Sequence, residues 1–187
     1  MKYILIISFF TAFHLFKTQT YPLNTFPDDV PVESYMKDLD NELTPFIGTW
    51  KADYNGKTIT LTIIKEEHKT FKIPRSSYSY YQDVLVVNYT VQNSNGTLLQ
   101  NNSNVQHDYD KNAIVSMFVN NSIVNLYYTG TNCGVGWGTI NLKKISNSQI
   151  SWSYYPNDTV LTTKNCSGNQ DTTIYLPETK DLLFTKQ

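Results

Sequence analysis

From residue 46 onward the chain alternates apolar and polar side chains with a period of two, and at Asn55-Gly56 the alternation breaks at a pair suited to a tight reversal. Both residue types accept positive φ, which the two central positions of a type I′ hairpin turn demand. The pair lies between Phe46-Ile47-Gly48-Thr49-Trp50 and a second alternating segment, residues 57–65. Taken as a two-residue loop, it sets Trp50 opposite Leu61 and Ala52 opposite Ile59, with Lys51 opposite Thr60 on the other surface. Apolar then meets apolar on one face, the condition for an antiparallel sheet with one side in a core.

The same reading extends down the chain. With Asn120-Asn121 as a loop, Met117 is expected to face Val124 and Val115 to face Leu126, with Ser116 opposite Asn125. A third hairpin, residues 138–145 returning as 150–155 through Ser146-Asn147-Ser148, sets Leu142 beside Trp152 and Ile140 beside Tyr154. Further strands are expected over residues 84–92, over 97–100 after Asn95-Gly96, and over 181–186. Fourteen Tyr, nine Phe and three Trp, with a polar remainder rich in Asn, Thr and Ser, favour strands and turns over helices. Eight to ten short strands joined by tight connections predict an all-β fold, an antiparallel up-and-down barrel or a strongly curved sheet of lipocalin-like form. Trp50, Leu61, Val87, Met117, Leu126, Leu142 and Trp152 are the side chains expected inside.

Lys2 followed by an apolar run over residues 3–16, broken by Ser8, Thr11 and His14 and closed by Lys17-Thr18-Gln19-Thr20, follows the pattern of a secretory signal peptide. A spanning helix needs about 20 apolar residues, more than this run contains. The organisation expected is a signal peptide at 1–20, an extended lead-in at 21–45, and a single antiparallel β domain at 46–187. Pro22, Pro27, Pro31 and Pro45 keep the lead-in extended, with at most one short helical turn near 34–39. The mature chain is expected to be a secreted or periplasmic, cell-envelope monomer without a membrane span. Its 13 basic and 16 acidic residues do not suit a nucleic-acid partner. Cys133 and Cys166 are the two cysteines, and an even pair in an exported chain is read as one structural disulfide. That bond is expected to tie the polar loop 156–171 to the third hairpin.

Phe46-Ile47-Gly48-Thr49-Trp50, opening a strand after an irregular lead-in, resembles the first motif of the calycins, the lipocalins and fatty-acid-binding proteins. The resemblance implies that Trp50 closes one end of a barrel beneath a basic residue of the last strand, for which Lys186 is the candidate. The Asn55-Gly56 turn stands where that family has a longer connection, and no counterpart of the second lipocalin motif is present. A second resemblance covers nearly the whole chain. It rests on Tyr21-Pro22-Leu23-Asn24-Thr25, Ile47-Gly48-Thr49-Trp50-Lys51, Asn55-Gly56-Lys57-Thr58, the two late cysteines and the terminal Phe184-Thr185-Lys186-Gln187. With these the chain resembles a family of small exported proteins of Bacteroidetes-type bacteria known only as a domain of unknown function. The resemblance implies export and a β fold and supplies no activity; it also makes sequons such as Asn88-Tyr89-Thr90 and Asn95-Gly96-Thr97 coincidences of an Asn-rich chain.

No catalytic, cofactor or metal constellation emerges. Asp108-Tyr109-Asp110-Lys111-Asn112 imitates the start of a calcium loop, but Ala113 replaces its glycine and Val119 its bidentate glutamate, so a polar turn is expected there. His68, beside Glu66-Glu67, and His107, beside Asp108, are the histidines on which an enzymatic reading, of hydrolase class, would rest. Gly134, Gly136 and Gly138 alternate around Trp137 without the following helix of a nucleotide site, and read as a turn or bulge. Tyr78, Tyr80 and Tyr81, and Tyr154-Tyr155 after Trp152, are amphipathic rings of a kind that suits sugar stacking or protein contact. Two functions follow as expectations: a noncatalytic barrel holding a small apolar or amphipathic ligand inside, or a solid-core module that binds an envelope protein or glycan through its tyrosines.

Overall fold

The computed structural model describes residues 19–72, 78–103, 105 and 110–187. Among the described residues there are eleven strands: β1 (Thr20–Pro22), β2 (Tyr35–Lys37), β3 (Gly48–Tyr54), β4 (Lys57–Lys72), β5 (Ser79–Asn93), β6 (Leu98–Asn101), β7 (Ile114–Asn120), β8 (Ile123–Tyr128), β9 (Gly138–Lys144), β10 (Gln149–Pro156) and β11 (Leu182–Lys186). Eight of them, in the order β3-β4-β5-β7-β8-β9-β10-β11 and back to β3, close an antiparallel up-and-down barrel.

The β3–β4 hairpin has the expected register, Trp50 opposite Leu61 and Ala52 opposite Ile59. Asn55 and Gly56 make its turn with φ of 49° and 72°. The β9–β10 hairpin likewise sets Leu142 against Trp152 and Ile140 against Tyr154. The β7–β8 hairpin differs from expectation: its turn is Asn121-Ser122, and Val119 faces Val124 while Ser116 faces Leu126. A bulge between Ser116 and Phe118 absorbs the extra residue, so Met117 points outward and is 37% exposed rather than inside. The other six expected core residues, Trp50, Leu61, Val87, Leu126, Leu142 and Trp152, lie in one apolar cluster and are at most 1% exposed.

The barrel closes between β5 and β7 through side chains more than through a strand ladder. The ladder there is a single pair, Val86 with Val115. Ser116 Oγ accepts the Leu85 N–H at 2.8 Å, and Gln82 Nε2 donates to the Met117 carbonyl at 2.8 Å. Asn102, just past β6, accepts the Tyr89 N–H at 2.7 Å and donates to the carbonyls of Val87 at 2.9 Å and Asn112 at 3.1 Å. Its amide thus stands in for a missing stretch of strand, satisfying backbone groups that burial would otherwise leave costly. Asn102→Ala is expected to lower stability by about 1–3 kcal/mol, the cost of a buried polar group left unpaired. An unchanged denaturation midpoint would show that Val86 and Val115 suffice to hold the seam.

The lead-in becomes part of the sheet. β1 runs parallel to β2, and β2 parallel to β5 through Tyr35–Tyr81 and Met36–Gln82. The short helical turn expected near 34–39 is therefore a strand. A single turn is a poor helix nucleus, and pairing with β5 offers the backbone a better partner. Short 3-10 turns occur instead at Pro27–Asp29 and Thr44–Phe46.

Both ends of the barrel are covered. At one, Leu43 and Phe46 of the lead-in are buried, and Trp50 Nε1 donates to the Phe46 carbonyl at 2.8 Å. At the other, the connection from β10 to β11 buries Leu176 and Pro177, and Trp152 Nε1 donates to the Pro177 carbonyl at 3.1 Å.

Candidate functional site

Charge is buried at the first end. Along β4 the inward positions Ile59, Leu61 and Ile63 are followed by Lys65, and β5 brings Asp83 in line with Leu85, Val87 and Tyr89. Lys65 Nζ lies 2.9 Å from Asp38 Oδ2 and 3.8 Å from Asp83 Oδ2, and the side chains of both aspartates are fully buried. Asp83 also accepts the Tyr35 hydroxyl and the N–H groups of Asp38 and His68, the last two at 3.1 and 3.0 Å. Asp38 accepts the N–H groups of Glu42 at 2.7 Å and Leu43 at 3.3 Å.

Burial alone would raise the Asp83 carboxyl, but the Tyr35 bond, the two backbone donors and the Lys65 charge hold it below the ordinary value. Burial likewise depresses Lys65, and its bond to Asp38 with the charges of Asp38, Asp83 and Glu67 outweighs this and holds it above. Donors and acceptors are matched throughout, so the cluster clasps the lead-in to the barrel. His68 reaches this place through the bulge between Glu66 and Lys69, with φ of 55°. Its ring stacks on Tyr81 at 4.1 Å and meets Tyr35 edge-on at 4.6 Å. That environment holds the imidazole between two tyrosine rings.

The other sequence candidates divide. His107, Asp108 and Tyr109 lie outside the described residues. Of the calcium-like segment, Asp110 begins a polar turn as expected, its carbonyl accepting the Ala113 N–H at 3.2 Å, and Lys111 Nζ bonds Asn132 at 2.7 Å. Among the described residues no three His, Cys, Asp or Glu side chains converge as metal ligands.

Tyr78, Tyr80 and Tyr81 do not form an exposed loop cluster. Tyr78 donates to the carbonyls of Pro27 and Val30, Tyr80 is buried and stacked on Phe71, and Tyr81 covers His68. Gly136 has φ of 74°, and a Cβ on Gly138 would lie 2.2 Å from the Tyr155 carbonyl oxygen. The glycine series is thus a turn running into a tight strand approach. Lys186 Nζ sits 5.1 Å from the Trp50 ring centroid.

The barrel axis is occupied by side chains. Beyond the six core residues, Tyr89, Tyr128 and Tyr154 meet edge to face inside, with centroids 6.5 and 5.8 Å apart. Burial pushes the Tyr128 hydroxyl up to about 12. Tyr154 donates to the Gly136 carbonyl and Tyr128 to Asn112. Two hollows, about 340 and 440 Å³, lie on the outer wall beside Asn102.

That leaves the outer wall of β8, β9 and β10. Thr139 is paired with Tyr127 on one side and Tyr155 on the other, so the three residues form a row across three strands. Trp137, just before β9, brings its ring to 6.3 Å from Tyr127. Tyr127, Trp137 and Tyr155 are 37%, 39% and 42% exposed. The next outward row is Asn125, Asn141 and Ser153, of which Ser153 is buried and its hydroxyl accepts the Asp181 N–H at 2.9 Å, and Lys180 Nζ lies 6.0 Å from the Tyr155 ring. Of these rings only Tyr155 belongs to the aromatic groups singled out in the sequence. Alternation against inward Leu126 and Tyr128 is the signal that would have found Tyr127.

Cys133 and Cys166 stand at disulfide distance, Cα atoms 5.2 Å apart, beside this wall. Here the long β10–β11 connection is held to the β8–β9 connection: Asn157 N–H donates to the Trp137 carbonyl at 2.7 Å, and Thr159 Oγ1 to that of Gly134 at 2.9 Å.

Fold and surface together define an antiparallel eight-stranded β-barrel with large apolar and aromatic side chains buried inside and an aromatic outer wall. The whole chain, residues 1–187, matches the family of unknown function DUF6705, and the protein belongs to that family. No curated protein and no solved structure matches it. No helix among the described residues is long and apolar enough to cross a membrane.

Proposed function

We propose that this chain is exported from a Bacteroidetes-type cell with residues 1–20 as its signal peptide, and acts, as a monomer, as a noncatalytic interaction module of the cell envelope or secreted space that binds glycan on its outer wall. The observation that carries the reading is the contrast between the two sides of β8–β10. Inside, Leu126, Tyr128, Ile140, Leu142, Trp152 and Tyr154 fill the barrel; outside, Tyr127, Trp137 and Tyr155 remain uncovered next to amides and hydroxyls. Exposed rings flanked by Asn125, Asn141 and Thr139 suit a sugar, whose C–H faces stack on aromatic rings while its hydroxyls take hydrogen bonds. A small apolar or amphipathic ligand inside the barrel, the alternative that the lipocalin-like opening motivates, would have to displace Trp50 and Trp152, both fully buried. The filled axis therefore favours the outer surface.

Affinity electrophoresis through gels containing soluble β-glucan, mannan or bacterial envelope polysaccharide tests the reading. The wild-type protein is expected to be retarded by at least one of them, and Trp137→Ala to weaken that binding by about 10-fold or more, with the melting temperature held. Free migration of the wild type in every gel, or equal retardation of the variant, would remove the glycan reading.

A further inference from the structure

The segment 157–166, beyond the wall, is built differently from the rest of the surface. Val160 is 81% exposed and Leu161 47%. Apolar side chains scattered over a surface are ordinary, but these two are adjacent and their backbone is held on both sides. On the N-terminal side, Asn157 and Thr159 are bonded to the carbonyls of Trp137 and Gly134. On the C-terminal side, Cys166 stands at disulfide distance from Cys133 and its N–H donates to the Thr162 carbonyl at 2.9 Å.

A third hold comes from within the segment. Asn165 Nδ2 donates to the Val160 carbonyl at 2.8 Å, and its Oδ1 accepts the Thr162 N–H at 2.8 Å and the Thr162 hydroxyl at 3.1 Å. One amide thus grips the chain on either side of Leu161. Among the described residues, the Leu161 N–H and C=O bond to no protein group. A residue with a free main chain, a projecting apolar side chain and both neighbours fixed is ready to pair with the extended-substrate cleft of a protease, which reads peptides as added strands.

We propose that residues 157–166 are a docking segment for an extracellular serine protease with an apolar specificity pocket, that Leu161 fills that pocket, and that the Leu161–Thr162 bond is attacked but turned over slowly. In the attack the protease serine Oγ bonds to the Leu161 carbonyl carbon, the C–N bond breaks, and the serine proton passes through the protease base to the Thr162 nitrogen, which leaves as an amine. Completion needs water to add to the acyl carbon, giving a Leu161 carboxylate and restoring the serine. The leaving amine does not diffuse away. Asn165 holds the Thr162 nitrogen, the Cys133–Cys166 bond joins the two halves covalently across the cut, and β10 and β11 remain paired in the barrel. Such tethering gives the amine a high effective concentration, so resealing of the peptide outruns hydrolysis. Preorganisation also removes the ordering cost that a flexible loop would carry into the cleft. The inference stands apart from the glycan reading, since it uses none of the three wall rings.

The test uses the oxidised full-length mature protein with chymotrypsin-class, subtilisin-class and trypsin-class proteases. Expected is inhibition of at least one of the first two at micromolar protein, with prolonged incubation giving a single cut before Thr162. The cut protein then runs as one band unreduced and two bands reduced. Leu161→Gly is expected to raise the inhibition constant by about 100-fold, the scale of a lost anchor residue. Leu161→Lys is expected to transfer inhibition to the trypsin-class enzyme, and Asn165→Ala to convert inhibitor into rapidly cut substrate at the same bond. All three variants lie on the exposed loop, and far-UV circular dichroism checks that each keeps the barrel. No inhibition of either apolar-pocket enzyme, rapid cleavage of the wild type without inhibition, or a Leu161→Lys variant that leaves the trypsin-class enzyme untouched would overturn the proposal.

Discussion

Lys65→Met is expected to lose about 3–5 kcal/mol of stability at neutral pH, because it removes one partner of a buried ion pair and leaves an uncompensated charge behind. Asp38 and Asp83 would face each other with fully buried side chains and no cation between them. Methionine roughly conserves the lysine stem, so lost packing is a small part of the cost.

The pH dependence separates charge from packing. Asp83 is held below its ordinary value, so its contribution is present above the unfolded carboxyl pKa of about 4 and is lost as pH falls through the lower folded value. Lys65 is held above its ordinary value, so its contribution is present below about pH 10 and is lost as pH rises through the folded value. The gap between wild type and Lys65→Met should therefore be widest between these limits and narrow toward acid. Urea midpoints at several pH values, with the slope checked for constancy, measure it. A gap that stays flat into acid would mean that the lysine acts by packing alone.

Loss of the Cys133–Cys166 link is expected to cost about 3–4 kcal/mol on the loop-entropy account, since it joins positions 33 residues apart. For a domain of this size that lowers the melting temperature by about 10 °C. The β signal in far-UV circular dichroism should survive reduction, because the β3–β4 and β7–β8 hairpins bury apolar faces of their own. Free thiols on the intact protein would sink the premise. A melting curve unchanged by reduction would show that the bonds from Asn157 and Thr159 already hold the loop.

Much of the barrel was legible because period-two alternation and turn chemistry act over a few residues. Asn55-Gly56 sets the turn, the turn sets the register, and the register puts Trp50 against Leu61. Reading the same register further along β4 would also have placed Lys65 inside, the local sign of the buried clasp. The second hairpin was not legible in this way. Val115, Met117 and Phe118 offer apolar side chains on both faces, so local pattern leaves the strand's parity open. The seam decided it: Ser116 is buried because its hydroxyl satisfies the Leu85 N–H, and the bulge that follows turns Met117 out.

The tyrosines after residue 77 owe their burial to a segment far away in the chain. Tyr78, Tyr80 and Tyr81 read as a surface cluster because nothing in the sequence indicates that residues 19–47 return to cover them through a parallel strand pairing. By itself, the sequence determined the strand-and-turn composition, the β3–β4 and β9–β10 registers, the burial of Trp50, Leu61, Val87, Leu126, Leu142 and Trp152, and a cysteine pair able to meet. Those are consequences of spacing between near neighbours. Only the tertiary structure decided that Tyr89, Tyr128 and Tyr154 meet inside the barrel, that Asp38 meets Lys65 and Asp83, and that Tyr127, Trp137 and Tyr155 share one outer wall. Each of these depends on segments far apart in the chain arriving at one place, and the free energy that selects such contacts belongs to the closed barrel rather than to any window of sequence.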